Sequence, residues 1–384
     1  MRVALPNDNW WKSACEAAGD DAVLLPPADP NAVNPYTPDI AARSAIGPRW
    51  LEQLRHNHSD MILDNGGGGL AFVPDPGGTT TAKLLHETAG IPLVSHWIDP
   101  LVTVFQTLPP EIVWACLDSD TWFKFVWDKR QCDELCRFGV QNVHHLPMAA
   151  PDREYITDPL DPAAVTQAVS FVGGQNTSCF FPDRTVSPKR LLAGALVDGV
   201  RTDRPEVSFL DAYYDIFELA EPPREGDGAD VRARKATDYF ADKLYYNAAQ
   251  CIKQRDRFVI FLKKKLADSF ALIGHRWDQA YGLPSRPPFP TTEAYLQHFR
   301  TTAINLNFVN GNSDCGLNMR HFEITAAGGF LLYLERPRER IAIALAGQKR
   351  TLNHHLYTHR LESIRRVVAP TAHHAEPQPV PSAS

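Results

Sequence analysis

The stretch INLNFVNGNSDCGLNMRHFEITAAGGFLL, residues 304–332, decides how this chain is read. An apolar run delivers Asn305 and Asn307 to a loop of Gly, Asn, Ser and Asp. A helix then opens near Leu317, with Asn318, Arg320, His321 and Glu323 in or beside its first turns. Helix amino termini carry unpaired N–H groups and the positive end of a dipole, so this junction suits an anionic ligand such as a diphosphate. Arg320 offers a charge-assisted bond to phosphate, and Glu323 accepts two hydroxyl hydrogen bonds, as a ribose requires. The plainer alternative is a capped helix with an ordinary salt bridge.

Outward from this junction the chain alternates strand-like and helix-like segments. VSFVGG (169–174), EVSFLD (206–211), FALIGH (270–275), AINLNFV (303–309) and GGFLLYL (328–334) read as strands of one α/β unit. Earlier, Arg2–Leu5, Ala22–Leu25, Met61–Leu63, Ile91–Val94, Ile112–Leu117 and Val143–Leu146 read as strands of another, with helices at Trp10–Ala18, Thr80–Thr88 and Lys129–Phe138. Such alternation predicts parallel sheets covered on both faces. Four prolines in 147–162 break both periods, so the expected division is a Rossmann-like domain over 1–150, a linker over 151–166, a second Rossmann-like domain over 167–337, closing helices over 338–367 and a disordered tail over 368–384. Two such domains in tandem leave a cleft facing the carboxyl ends of both sheets, where open α/β sheets bind ligands.

Composition narrows the function. The 384 residues carry 39 Lys and Arg against 45 Asp and Glu, a net charge of −6, which gives no overall footprint for nucleic acid. Seven scattered cysteines argue for reduced thiols, hence a cytoplasmic compartment. No apolar run reaches membrane-spanning length. Lys253, Arg255, Arg257 and Lys263–Lys265 surround FVIFL, which reads as a sheet-packed helix with a snorkelling rim and admits weak peripheral contact with anionic lipid.

The run GLNMRHFEITAAGGFLL resembles the R-x-FE-x-x-A-x-G core of the donor domain in CgeB-like (spore maturation protein) glycosyltransferases of the GT-B fold. VSFVGG, FALIGHRW at 270 and GQKRTLNHHLYTHRLESI at 347 extend the resemblance over most of 166–366. It implies transfer of a sugar, of the hexosyltransferase type, from a nucleotide diphosphate donor held by the second domain to an unidentified acceptor held by the first. Glu323 would hold the donor ribose or sugar and Arg320 the phosphates. The resemblance breaks at Leu332–Arg338, where one βα unit of the family is missing, and Leu331 stands in place of a second glutamate. A non-catalytic nucleotide-sugar or glycan-binding protein with a degenerate GT-B fold is therefore the alternative.

Further candidates follow from strand ends. The Gly173–Gly174 turn, ahead of Lys189 and Arg190, lets backbone approach a pyrophosphate, and Gly274 and His275 end a strand at the same edge. In the first domain DNGGGG (64–69) and HWID (96–99) end strands, and His96 and Asp99 are the candidates for a base that deprotonates an acceptor hydroxyl. Asp118-Ser119-Asp120 mimics a metal-binding DxD, but no metal or other cofactor is expected beside a GT-B donor site that neutralises diphosphate with protein cations.

Overall fold

The computed structural model describes residues 1–7, 9–27, 39–74, 83–99, 108–158, 160, 162–175, 188–204, 206–224, 226–251, 255–308, 313–331 and 337–372. Strands β1 (Arg2–Leu5), β2 (Asp21–Leu24), β3 (Met61–Asn65), β4 (Phe72–Val73), β5 (Lys83–Leu84), β6 (Leu93–Trp97), β7 (Trp122–Val126) and β8 (Val143–His145) belong to the first half of the chain. Six of them form one sheet in the order β2-β1-β3-β6-β7-β8, every pair parallel, while β4 and β5 make a separate antiparallel pair. Strands β9 (Gln167–Val172), β10 (Phe270–Ile273) and β11 (Thr302–Leu306) form a second parallel sheet, ordered β10-β9-β11. Two parallel α/β sheets with a cleft between their carboxyl edges are the architecture expected of a GT-B-like chain.

Residue alternation explains why the first sheet is covered twice. Ala4, Ile62, Leu93, Trp97, Trp122 and Val126 face one apolar core. Val3, Leu5, Met61, Leu63, Val94, Phe123 and Phe125 face the other. Successive side chains of a strand point to opposite faces, so near-continuous apolar strands require helices on both sides.

Several sequence readings need correction. The apolar run Ile112–Leu117 lies in a helix, Pro110–Leu117, opened by proline at its first turn. The strand at this place is Trp122–Val126, disguised by Lys124, which is buried and donates to the carbonyls of Leu117, Ser119 and Gln141. Residues 206–211 form no strand: Phe209–Asp211 is helical and runs into a π turn, Ala212–Ile216. Gly328–Leu331 is not a strand either, although the Phe330 carbonyl accepts from Asn305 N at 2.8 Å, and 332–336, with the joint of the missing unit, lie outside the described residues.

The helices Pro188–Asp203 and Ala229–Cys251, expected within 167–337, join the helical layer that covers the first sheet, Ala229–Cys251 packing on Pro110–Leu117 and Pro188–Asp203 on Ala229–Cys251. Val197, Phe209, Tyr213, Tyr239 and Tyr246 share a core with Trp114 and Phe138. Aromatic residues at helical spacing seek an apolar face, and the helices over the six-stranded sheet supply it. The last helix, Tyr357–Ala372, continues past Val368 and buries Tyr357, Leu361, Ile364 and Val368 in the other core of that sheet. Residues 373–384 of the expected tail lie outside the described residues.

Candidate functional site

A cleft of about 270 Å³ lies between the carboxyl edges of the two sheets. Ile98 and Asp99 follow β6, and Trp127 follows β7. Gly173 and Gly174 follow β9, Asn307 and Phe308 follow β11, and Asn318, Arg320 and Glu323 come from the helix Met319–Ala326 and its cap. The cleft thus draws its walls from both sheets at the edge where parallel α/β folds bind ligands.

The wall on the second sheet's side is organised from the Met319–Ala326 helix. Glu323, 5% exposed, accepts from Tyr295 Oη at 2.7 Å, and the Arg320 guanidinium lies 5.5 Å over the Tyr295 ring. Arg320 Nη1 donates to the Val172 carbonyl, tying the helix to the end of β9. Asn307 Nδ2 donates to Asn318 Oδ1 at 2.7 Å, and His321 Nδ1 lies 2.6 Å from that Nδ2 and 3.0 Å from Asn318 Oδ1. Burial holds the His321 pKa below the usual value.

The glycine turn is equally specified. Gly173 N donates to the Ile273 carbonyl at 2.8 Å, and Trp277 Nε1 donates to Gly173 O at 2.7 Å. Gly274 has φ +143°, and a Cβ there would stand 2.4 Å from Gly173 O. Gly274→Ala is therefore expected to cost at least about 2 kcal/mol and to push Gly173 into the cleft, through a disfavoured backbone and an overlap no rotamer relieves. Chemical unfolding checks this; a midpoint equal to that of the native chain would show that β9 and β10 part without penalty.

One cleft residue was misread from the sequence. Arg255, assigned above to a snorkelling rim, is 4% exposed and lines the cleft. Its Nε donates to Asp256 Oδ1 at 2.8 Å, and its guanidinium lies 5.7 Å over the Trp277 ring. Asp256 also accepts from Gln175 Nε2 at 2.9 Å and Tyr281 Oη at 2.8 Å, so the arginine is braced from behind. The only cue in the sequence is the adjacent Arg-Asp pair at the start of an amphipathic helix.

Other expected residues lie elsewhere. Asn305 is buried beneath the cleft, donating to Phe299 O at 2.9 Å and accepting from Ser170 Oγ at 3.3 Å, which makes it a strand clamp. His275 is exposed and contributes only its carbonyl, to Gln175 N. Arg190 pairs with Asp242 at 2.6 Å. His96 is fully buried, 3.1 Å from the Leu146 carbonyl and edge-on to Trp11, and burial pulls its pKa down to about 4. A sealed neutral imidazole is out of an acceptor's reach, and of the two base candidates the cleft receives only Asp99. The DNGGGG loop closes on itself: Asp64 accepts from the amides of Gly67 and Gly69, and buried Arg43 donates to the carbonyls of Gly67 and Leu70. Asp118 and Asp120 precede β7, at the edge of the sheet away from the cleft, and Asp118 pairs with Arg232 at 2.7 Å.

The two walls are joined through Asp128, just beyond β7. It caps the helix Lys129–Arg137, and its Oδ2 accepts from Asp314 N, Cys315 N, Gly316 N and Ser313 Oγ at 2.7–2.8 Å. Residues 313–316 lead directly into the Met319–Ala326 helix. Burial alone would raise this carboxyl, but the amides of Cys315, Gly316 and Asp314 and the Ser313 hydroxyl outweigh it and hold the pKa at about 2. Beside it Lys243 bridges Glu134 at 2.6 Å and Asp314 at 2.5 Å, all three side chains being at most 5% exposed.

Residues 254–335 match a family described as glycosyl transferase-like, and this segment holds Arg255, Asn307, Asn318, Arg320 and Glu323. No curated protein matches the chain. Among solved structures, the spinosyn rhamnosyltransferase SpnG aligns at 12% identity over 97% of this chain and 92% of its own, with a TM-score of 0.32. The glycosyltransferase SnogD from Streptomyces nogalater aligns at 9% identity over 97% and 96%, TM-score 0.33. The Escherichia coli trehalose-6-phosphate structure bound with UDP-2-fluoro glucose aligns at 10% identity over 97% of each chain, TM-score 0.38. Such low scores leave the reading to the chain's own sheets and residues. The chain contains a glycosyltransferase-like segment, and that segment supplies Arg255, Asn307, Phe308, Asn318, Met319, Arg320 and Glu323 to the cleft.

Proposed function

We propose that the chain transfers a sugar, of hexosyl type, from a nucleoside diphosphate sugar to an acceptor hydroxyl. The observation that carries this reading is the convergence of Arg255, Arg320, Glu323 and the Gly173–Gly174 turn in one cleft, within or beside the glycosyl transferase-like segment. In this reading Arg255 and Arg320 neutralise the diphosphate, with the helix amino terminus and the glycine backbone adding fixed dipoles. Glu323, braced by Tyr295, accepts from donor hydroxyls. The new bond forms between the acceptor oxygen and the anomeric carbon as the bond to the diphosphate breaks. The departing charge is met by the two guanidiniums, and the acceptor proton passes to Asp99 or to the leaving phosphate. Two protein cations make a divalent metal dispensable.

A thermal-shift panel of UDP, GDP, dTDP, CDP and ADP, followed by titration of the best ligand, tests the reading. A ligand at 100 times its dissociation constant adds about 2.7 kcal/mol. Arg255→Ala and Arg320→Ala should each weaken nucleotide binding at least about tenfold, since each removes a charge-assisted bond. Glu323→Gln should weaken the nucleotide sugar with little change in folding, and donor turnover should survive EDTA. Unchanged affinity in all three variants would remove the donor-site assignment. Tight binding without hydrolysis or transfer would favour a binding module, the alternative reading of the chain.

A further inference from the structure

The helix Arg257–Leu266 divides its residues unusually. Val259 is fully buried, and Ile260, Leu262 and Leu266 pack beside it against Phe171, Phe270, Leu272 and Trp277. Arg257, Phe258, Phe261, Lys264 and Lys265 are exposed, and with 3.6 residues per turn they occupy one arc of about 120°. Phe258 is 43% and Phe261 52% exposed, and their rings stack at 6.4 Å. Lys263 is drawn aside: its Nζ bonds the carbonyls of Ala267 and Phe270 at 3.2 Å and closes the helix. The outward face is therefore two phenyl rings among three cations with no acid. The flanking Asp256 is buried on Arg255, and Asp268 lies past the last turn. On a chain of net charge −6 this face opposes the overall balance.

We propose that this face docks on an anionic lipid bilayer. Two large apolar side chains held out into water, ringed by basic residues, match the interfacial helix pattern, in which rings enter the acyl boundary while cations meet phosphate headgroups. A soluble polyanion would engage the cations and leave both rings in water, so the phenyl pair selects lipid. Phe258 also meets Phe308 edge-on at 5.5 Å, and Phe308 lines the cleft, so the docked face sits beside the cleft mouth.

Co-sedimentation of the full chain with vesicles tests this without reference to sugar transfer. Vesicles of phosphatidylcholine with one-third phosphatidylserine should bind the chain at low salt, and pure phosphatidylcholine should not. Lys264→Ala with Lys265→Ala should lower partitioning about 25-fold, at about fivefold per cation lost. Phe258→Ser with Phe261→Ser should abolish it. Leu191→Ser with Leu192→Ser, exposed on another helix, should leave it unchanged. Equal binding to neutral vesicles, no binding to either, or binding that survives both helix variants would overturn the proposal. So would a soluble polyanion that binds the chain only through these residues while vesicles do not. A urea-unfolding midpoint equal to that of the native chain in the Lys264 and Lys265 variant shows that the fold is intact.

Discussion

Lys243→Met is expected to cost roughly 3–5 kcal/mol of folding stability, a large share of what a domain possesses. The substitution keeps the aliphatic stem but leaves Glu134 and Asp314 buried with no cation between them. In the native chain the two carboxylates hold the Lys243 ammonium above its ordinary value against the opposing effect of burial, while burial pushes Glu134 up to about 7. Without the lysine the carboxylates repel at short range, and one must take a proton. Adding Glu134→Gln to Lys243→Met should restore part of the loss, because it removes one of the uncompensated charges. Urea unfolding of the single and double variants measures this. A loss below about 1 kcal/mol would mean that the cluster is hydrated and contributes as weakly as a surface pair.

The second large effect is expected at Asp128. Asp128→Ala strips the acceptor from three loop amides, the Ser313 hydroxyl and the cap of the Lys129–Arg137 helix, and should cost roughly 3 kcal/mol or more. The same contacts set a pH dependence. The carboxyl falls from its ordinary 3.8 to about 2 on folding, so its contribution is complete above 3.8 and is lost as pH drops through about 2. That contribution is about 2 kcal/mol. Unfolding curves between pH 5 and 2 should converge for the native chain and Asp128→Asn, because protonation and amidation both remove the charge. Curves that stay parallel would show that the loop is held by other contacts. Since 313–316 feed the Met319–Ala326 helix, Asp128→Asn should also weaken nucleotide binding without touching the ligand.

The parts of this fold that were legible in the sequence are those where local pattern and tertiary role agree. Arg2–Leu5, Phe270–Ile273 and the helix Met319–Ala326, expected to open near Leu317, sit where apolar runs and loop chemistry place them. Pattern failed where burial overrode it. Trp122–Val126 hides a strand because its central lysine finds three carbonyls inside the protein, and Pro110–Leu117 mimics a strand because a helix buried on a broad sheet is apolar nearly all round. At the site, Arg320 and Glu323 were legible because the strand, polar loop and helix are contiguous in sequence. Arg255 was not, since its role depends on Trp277 and Asp256 turning a surface-like charge inward. His96 misled in the opposite direction: its strand end points under the sheet edge, against Trp11 and Tyr357, and away from the cleft.

The packing of Tyr357, Leu361, Ile364 and Val368 against Val3, Leu5 and Trp11 has a consequence for how the chain is born. One face of the first sheet is completed by residues that leave the ribosome about 350 positions after the strand they cover. At roughly 5–20 residues per second, that face waits on the order of 20–70 seconds. During that interval Val3, Leu5, Met61, Leu63, Phe123 and Phe125 have only part of their cover, from Trp11, Ala14 and Cys15 of the helix Trp10–Ala17. The nascent chain is therefore a natural client for holding chaperones until the final helix arrives.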